Sequence, residues 1–362
     1  MDGGERRRIA RAISAAENRG PECETVLRAA YATRGQVRII GVTGPPGAGK
    51  STFVDRFATH LARAGRRVAI IAIDPSSPFS GGALLGDRVR QGESAAEENV
   101  FFRSVSARGS IGGLSETAVD VIAVLSGFGF DYVLLETVGA GQSDVEIREI
   151  ADCTFVMTVP GLGDGVQASK AGLMEIGDVF IVNKADLPNA ADTAKHIRAA
   201  ISAAYMGKPG LNRVEPAKRP AFGANGHTSD GLRALMRRHG DMASDDWVWV
   251  PPVLSVSAAR GDGVAEVAAA ADTYLDWFSE TGRRAERERD RLYRQILRTL
   301  SAILIARFSM PVGGTSFPPE VAEWVERISG GEASPLDAAR ALAASQSGHS
   351  QSGQMNPDTE ER

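Results

Sequence analysis

The sequence predicts a doubly wound α/β fold with a mainly parallel sheet, preceded by N-terminal helices and followed by a C-terminal helical arm. Three observations carry this. Short runs rich in β-branched residues alternate with helical segments between Val37 and Ser257. Most of those runs are apolar on both faces, as strands covered by helices above and below must be. A glycine-rich loop follows the first run and opens a helical segment, the setting in which such loops bind phosphate.

The elements follow in order. Ile9, Ala10, Ile13 and Ala16 fall at helical spacing and predict a helix over 6–18, with a second starting at Pro21. The strands are expected at 37–43, 68–74, 100–105, 132–136, 154–159, 178–183 and 253–257. Residues 283–308 read as one long amphipathic helix on which Leu292, Ile296, Leu300 and Leu304 recur every fourth position. Gly313, Gly314, Pro318 and Pro319 end it, and shorter helices are expected near 321–328 and 336–343. From Ser345 onward the chain is Ser, Gln and Gly with almost no large apolar residues, a disordered composition. The division is therefore 1–35 helical, 36–280 nucleotide-binding domain, 281–344 arm and 345–362 tail.

Composition removes several classes of function. With 41 basic and 45 acidic residues the net charge is -4, and no long basic stripe appears, so no nucleic-acid partner is expected. No apolar run approaches the roughly 20 residues of a membrane span, and residues 5–8 are charged where a secretory signal would begin its apolar stretch. No membrane association is expected, and the default location is cytoplasmic. A bacterial cytoplasm and an organelle matrix remain equally open, because a transit peptide is removed on import. Cys23 and Cys153 lie far apart and read as reduced, buried thiols.

Three motifs carry the chemistry. Gly44-Pro45-Pro46-Gly47-Ala48-Gly49-Lys50-Ser51, with Thr52 behind it, fits the full P-loop spacing. Glycines let the backbone N–H groups wrap the phosphates at a helix N-terminus. Lys50 is expected to reach the β- and γ-phosphates and the Ser51 hydroxyl to ligate magnesium. Glu136, at the end of an apolar run, takes the Walker B position, bonding the magnesium directly or through water. Asn183-Lys184-Ala185-Asp186 closes another run. The Asp186 carboxylate can accept from guanine N1–H and from the exocyclic amine, a pair that adenine does not offer. Asn183 can meet the Hoogsteen edge, and the Lys184 stem can cover the ring. An Asn-x-x-Asp alone is as well explained by a helix cap. After a P-loop and a Walker B acid it selects GTP over ATP. Ser257-Ala258 is the matching loop under the base.

The wider pattern resembles the MeaB/ArgK family of P-loop GTPases, chaperones of adenosylcobalamin-dependent acyl-CoA mutases. The resemblance rests on Asp74-Pro75-Ser76-Ser77-Pro78-Phe79-Ser80-Gly81-Gly82, Leu85-Gly86-Asp87-Arg88, Arg103-Ser104, Arg108-Gly109 and Gly112-Gly113-Leu114. It continues through Glu136-Thr137-Val138-Gly139-Ala140-Gly141-Gln142-Ser143 and Pro160-Gly161-Leu162-Gly163-Asp164, covering roughly 36–190. It implies that Lys50, Asp74, Asp87 and Glu136 are catalytic and magnesium-shell residues. Asp74 would sit in the outer magnesium shell and Asp87 on switch I, while 139–143, with the nucleotide-contacting Gly139, would be switch II. The loop 159–170 matches a third switch that signals nucleotide state to the mutase. Taken alone, Asp74 and Asp87 would read as a turn cap and a solvated loop acid. Gln142 invites comparison with a water-positioning glutamine, but it stands three residues after Gly139 instead of beside it, so weak intrinsic hydrolysis is expected.

The implied function is a GTPase, using magnesium and turning GTP into GDP, that gates adenosylcobalamin delivery to a mutase such as methylmalonyl-CoA mutase, or its protection or reactivation. Adenosylcobalamin is bound only through that partner. Methylmalonyl-CoA mutase is the commonest partner in the family, and isobutyryl-, 2-hydroxyisobutyryl- and ethylmalonyl-CoA mutases use similar chaperones. Two other classes stand beside this one. A metallochaperone would need a Cys or His cluster, and His60, His196, His227, His239 and His349 are scattered. A kinase of a transport protein or small molecule is disfavoured by the guanine motif. Two features depart from the family: a longer polar connection over 201–250, with Trp247 and Trp249 expected to form a satellite core, and an unfamiliar C-terminal sequence. The arm's Leu292 to Leu304 stretch is expected to make a homodimer.

Overall fold

A computed structural model describes residues 1–75, 92–107, 114–137, 143–161, 173–206, 212–214, 247–309 and 317–344. The seven expected strands form one sheet. They are β1 (Arg38–Thr43), β2 (Val68–Pro75), β3 (Val100–Ala107), β4 (Tyr132–Thr137), β5 (Cys153–Thr158), β6 (Val179–Val182) and, after two short strands named below, β9 (Val253–Ser255). Their order is β3-β2-β4-β1-β5-β6-β9, and every pairing within it is parallel. The chain lays β2, β3 and β4 on one side of β1 and β5, β6 and β9 on the other. The order thus reverses at β1, which makes the carboxyl end of β1 the switch point where such sheets bind ligands.

Alternation explains the two covered faces. On one face Ile40, Val42, Tyr132, Leu134 and Phe155 pack with Phe53 and Phe57 of α3 (Lys50–Arg63). Phe155 meets both phenyl rings edge-on, at 6.1 and 5.5 Å. On the other face Ile39, Val133 and Leu135 pack with Ile9 and Ile13 of α1 (Gly3–Asn18), Ala30 of α2 (Cys23–Thr33), Val121 and Leu125 of α4 (Leu114–Gly127), and Ile147 of α5 (Ser143–Ile150). Single residues of each strand therefore serve opposite cores, which is why the strands read as unbroken apolar runs. Both cysteines are buried and free, and burial pushes the Cys153 thiol well above its ordinary range.

The remaining elements are α6 (Leu173–Ile176), α7 (Ala190–Met206), the short parallel pair β7 (Asn212–Val214) and β8 (Trp247–Trp249), α8 (Val264–Glu280), α9 (Arg283–Phe308), α10 (Pro319–Ser329) and α11 (Pro335–Ala344). The helix α1 starts three residues earlier than its apolar spacing suggests, because the Asp2 carboxylate accepts the Glu5 backbone N–H at 2.7 Å and caps it. The helix α2 begins at Cys23, two residues after Pro21. The strand β9 stops at Ser255, since Ser257 turns back to bridge Asp262.

One expectation is corrected. Trp249 does not form a satellite core: it is buried in the main cluster, with its ring 5.1 Å from Tyr274 and 5.8 Å from Trp277. Its indole N–H donates to the Asp178 carbonyl at 2.8 Å. A polar connection hid a residue that closes one end of the domain core. The Trp247 side chain and the tail 345–362 lie outside what the structure describes.

The chain divides into two compact units, Met1–Leu297 and Arg298–Arg362. The second holds the last turns of α9 together with α10 and α11, which pack on each other. Within it Arg307 reaches Glu320 at 3.4 Å. Among the described residues no helix is long and apolar enough to cross a membrane.

Candidate functional site

The P-loop stands where the sheet order reverses. Thr43 ends β1 fully buried, and Lys50 opens α3 three residues after the turn at Gly47. The Lys50 ammonium is buried and donates to the carbonyls of Gly44 at 2.7 Å and Pro45 at 3.3 Å, so the loop wraps its own lysine. The Ser51 hydroxyl donates to a carboxylate oxygen of Glu136, which is 3% exposed at the end of β4. Residues 43 and 136 belong to neighbouring strands, since β1 pairs with β4 in register up to Val42 and Glu136. Hydroxyl and carboxylate make an all-oxygen donor set, which suits a hard divalent cation such as magnesium. Thr52 follows Ser51 in the first turn of α3, exposed.

The guanine motif packs directly on this loop. The Asn183 amide donates to the Ala48 carbonyl at 2.8 Å, and its oxygen accepts the Ala258 backbone N–H at 3.0 Å. A Cβ on Gly49 would lie 2.5 Å from the Asn183 amide nitrogen, and Gly49 has φ +83, so both the turn and the neighbour require glycine there. The Ser257 hydroxyl donates to Asp186 at 2.8 Å. That bond, then the residue's own N–H, then the nearby Arg260 and Lys184 charges hold the Asp186 carboxyl below the usual carboxylate range. Asp186 is thus an anionic acceptor at neutral pH, oriented by Ser257. Lys184 takes a left-handed φ of 56, which carries the chain from β6 across the site.

The structure therefore brings together Gly44 through Thr52, Glu136, Asn183, Asp186, Ser257 and Ala258. Asp74 is the next-to-last residue of β2, where its backbone pairs with Ser106; its side chain is not described. Asp87, Gly139, Gln142 and most of the 159–170 loop lie outside the described residues. Sequence reading missed two supports on α3. Arg56, on α3, donates to the Ala259 carbonyl at 3.2 Å and pairs with Glu93, joining the base loop to the residues that follow 76–91. Beside it, Asp55 accepts from the backbone N–H groups of Glu93 at 2.9 Å and Ser94 at 3.0 Å. No local signal marks either residue, because the partners lie far along the chain.

Comparison with known proteins places this geometry. Residues 9–311 match the family described as methylmalonyl-CoA mutase-associated GTPase MeaB. A protein of Pyrococcus abyssi named as a GTPase is 35% identical over 342 residues, 94% of this chain and 92% of its own. The GTPase ArgK of Escherichia coli is 35% identical over 268 residues, 73% of this chain and 70% of its own. The mouse mitochondrial homologue of the methylmalonic aciduria type A protein is 32% identical over 228 residues, 63% of this chain and 46% of its own. A crystal structure described as LAO/AO transport system kinase superposes with a TM-score of 0.59 at 24% identity, covering 95% of this chain and 94% of that one, and so shares the fold. With a P-loop, a Walker acid and a base loop assembled at the carboxyl ends of β1, β4 and β6, and a family match over residues 9–311, this chain belongs to the MeaB family of mutase-associated GTPases and is a GTP-hydrolysing enzyme.

Proposed function

We propose that this GTPase is a chaperone of an adenosylcobalamin-dependent acyl-CoA mutase, coupling GTP binding and hydrolysis to delivery of the intact cofactor or to protection and reactivation of the mutase. The observation that carries the reading is the family match over 9–311, whose description names methylmalonyl-CoA mutase. The mouse relative, named for methylmalonic aciduria, supports the same class of partner.

In this reading the loop 44–52, through the backbone N–H groups of its residues other than Pro45 and Pro46, and the Lys50 ammonium hold the phosphates, and Asp186, Asn183, Lys184, Ser257 and Ala258 hold the base. Ser51 and Glu136 hold magnesium, with Asp74 and Asp87 completing its shell. Held there, the ion would supply positive charge against the negative charge that develops on the leaving GDP oxygen as water attacks the γ-phosphorus and its bond to the bridging oxygen breaks. Gly139 and Gln142 belong to the segment between Glu136 and α5. Magnesium, adenosylcobalamin reached only through the partner, and a cytoplasmic location all belong to this proposal.

The test is GTP turnover measured alone and with candidate mutases, each loaded with adenosylcobalamin, with ATP as the control nucleotide. One mutase is expected to bind and accelerate GTP hydrolysis. If GTP turns over but no mutase binds or alters the rate, the chaperone role is wrong and the hydrolase remains.

We also propose that the chain is a homodimer through the arm over 281–344. In the first unit Tyr293 and Ile296 are 63% and 65% exposed, and in the second Leu300 and Ile303 are 50% and 63% exposed. All lie at helical spacing along α9, an apolar face that water solvates poorly. Light scattering at micromolar concentration is expected to give twice the chain mass of 38.3 kDa. A mass of one chain would contradict the arm's role.

A further inference from the structure

Helix α5 is held at its C-terminal end by arginines from α9. An α-helix leaves its last carbonyls without intrahelical donors, and cations are favourable beside them. Here Arg291 donates to the Ile150 carbonyl, and Arg287 donates to the carbonyls of Ala151 at 3.2 Å and Asp152 at 3.4 Å. Arg294 pairs with Glu149 at 2.7 Å. The Arg287 guanidinium also lies 4.6 Å over the Phe278 ring, which fixes its plane. Arg287, Arg291 and Arg294 recur at three- and four-residue spacing, so one face of α9 serves one helix end.

The same helix end presses on the strand that leads into the P-loop. A Cβ on Gly41 would lie 2.8 Å from Ile147 and 3.1 Å from Ala151, so α5 sits against the β1 backbone itself. Gly41 is three residues before Gly44. The Asp152 carboxylate accepts the Ile39 backbone N–H at 3.1 Å while facing Arg284 at 3.3 Å and Arg291 at 3.5 Å, and it is fully buried. At its other end α5 starts at Ser143, seven positions after Glu136 in the chain. One rigid helix thus spans the arginines of α9, the root of the P-loop and the sequence that follows the Walker acid.

We propose that Arg287 and Arg291 are positioning residues for GTP hydrolysis, acting through α5. Their described partners are the carbonyls at the end of α5 and Asp152, and neither arginine belongs to the phosphate loop or the base motif. They fix where α5 rests against β1, and a catalytic constellation loses rate steeply when its support slackens. The inference rests on the GTPase activity of the family and not on the mutase partner, so it stands or falls independently of the chaperone reading.

The primary variant is Arg287→Ala, because Arg287 donates to carbonyls and its loss leaves Asp152 paired with Arg284 and Arg291. In the full chain, kcat for GTP is expected to fall about fivefold, well short of the hundredfold that an ångström of misplacement can cost. KM for GTP and the Kd for GDP are expected to stay within about twofold, and Arg287→Lys should restore part of kcat, since it keeps a donor there. An unchanged kcat in folded Arg287→Ala overturns the proposal. A fall in kcat that merely tracks the folded fraction, with no recovery in Arg287→Lys, overturns it as well. Hydrogen exchange on the unmodified chain supplies a second arm if Arg287→Ala fails to fold. The amides of 147–151 are expected to exchange at different rates with GDP and with a non-hydrolysable GTP analogue, and equal rates would refute the coupling.

Discussion

Asp186→Asn is expected to exchange guanine preference for xanthine preference. The carboxylate is an acceptor-only group, and two guanine donors, N1–H and the exocyclic amine, match it. Asparagine presents one acceptor and one donor, so its amide N–H would face the guanine amine with neither able to accept. Xanthine replaces that amine with a carbonyl and keeps N1–H, which restores both bonds. Sites built around such pairs discriminate by factors of about 10⁴. The ratio of kcat/KM for GTP to that for xanthosine triphosphate is therefore expected to fall by about 10⁴, with ATP a poor substrate throughout. Ser257 sharpens the expectation, because its hydroxyl donates to the same carboxylate and fixes its direction. The depressed carboxyl of Asp186 gives the sign for pH: the acceptor persists at and above the usual carboxylate range and is lost only as pH falls below it. An unchanged nucleotide ratio in Asp186→Asn would remove this residue from base recognition.

Lys50→Ala is expected to lower kcat for GTP about 10³-fold, the scale set by deleting one preorganised donor to a developing charge. The ammonium is buried among loop carbonyls at 2.7 and 3.3 Å, so its desolvation has already been met by the fold. It can turn to phosphate oxygens without crossing water, and an interaction in such a site is stronger than one at the surface. Lys50→Arg should rescue little, because a planar fork is larger and the Gly44 and Pro45 carbonyls leave a cradle sized for an ammonium. GDP binding is expected to weaken less than kcat, since backbone N–H groups supply most of the phosphate contacts. Turnover within about tenfold of the unmodified chain would contradict a charge-stabilising role, which mutagenesis of such groups places at 10² or more.

Much of the nucleotide site was legible because its parts are local. The P-loop is eight consecutive residues, and its glycines, lysine and serine have fixed spacing because one turn of backbone must close on one phosphate. The guanine motif is four residues at a strand end, and the strands themselves are apolar on both faces. Ser257-Ala258 was weak as sequence and becomes specific only in space, where Ala258 and Ser257 bond Asn183 and Asp186. Trp249 misled for the opposite reason: a polar neighbourhood in sequence concealed a side chain packed edge-on against Tyr274 and beside Trp277.

By itself the sequence determined the sheet's strands, the phosphate loop and the choice of base, because each depends on hydrogen bonds and apolar periodicity among neighbouring residues. Only the tertiary structure decided which distant groups support them. Asn183 meets Ala48, Arg56 meets Ala259, and Arg287 meets the end of α5. Those contacts join residues far apart in the chain, and arginine at an exposed helix position has the same composition whether it faces water or a helix terminus. The physical reason is plain: long-range partners are chosen by the packing of α3 against the sheet and by the reach of the α9 arginines to the end of α5, and local pattern carries no record of that choice.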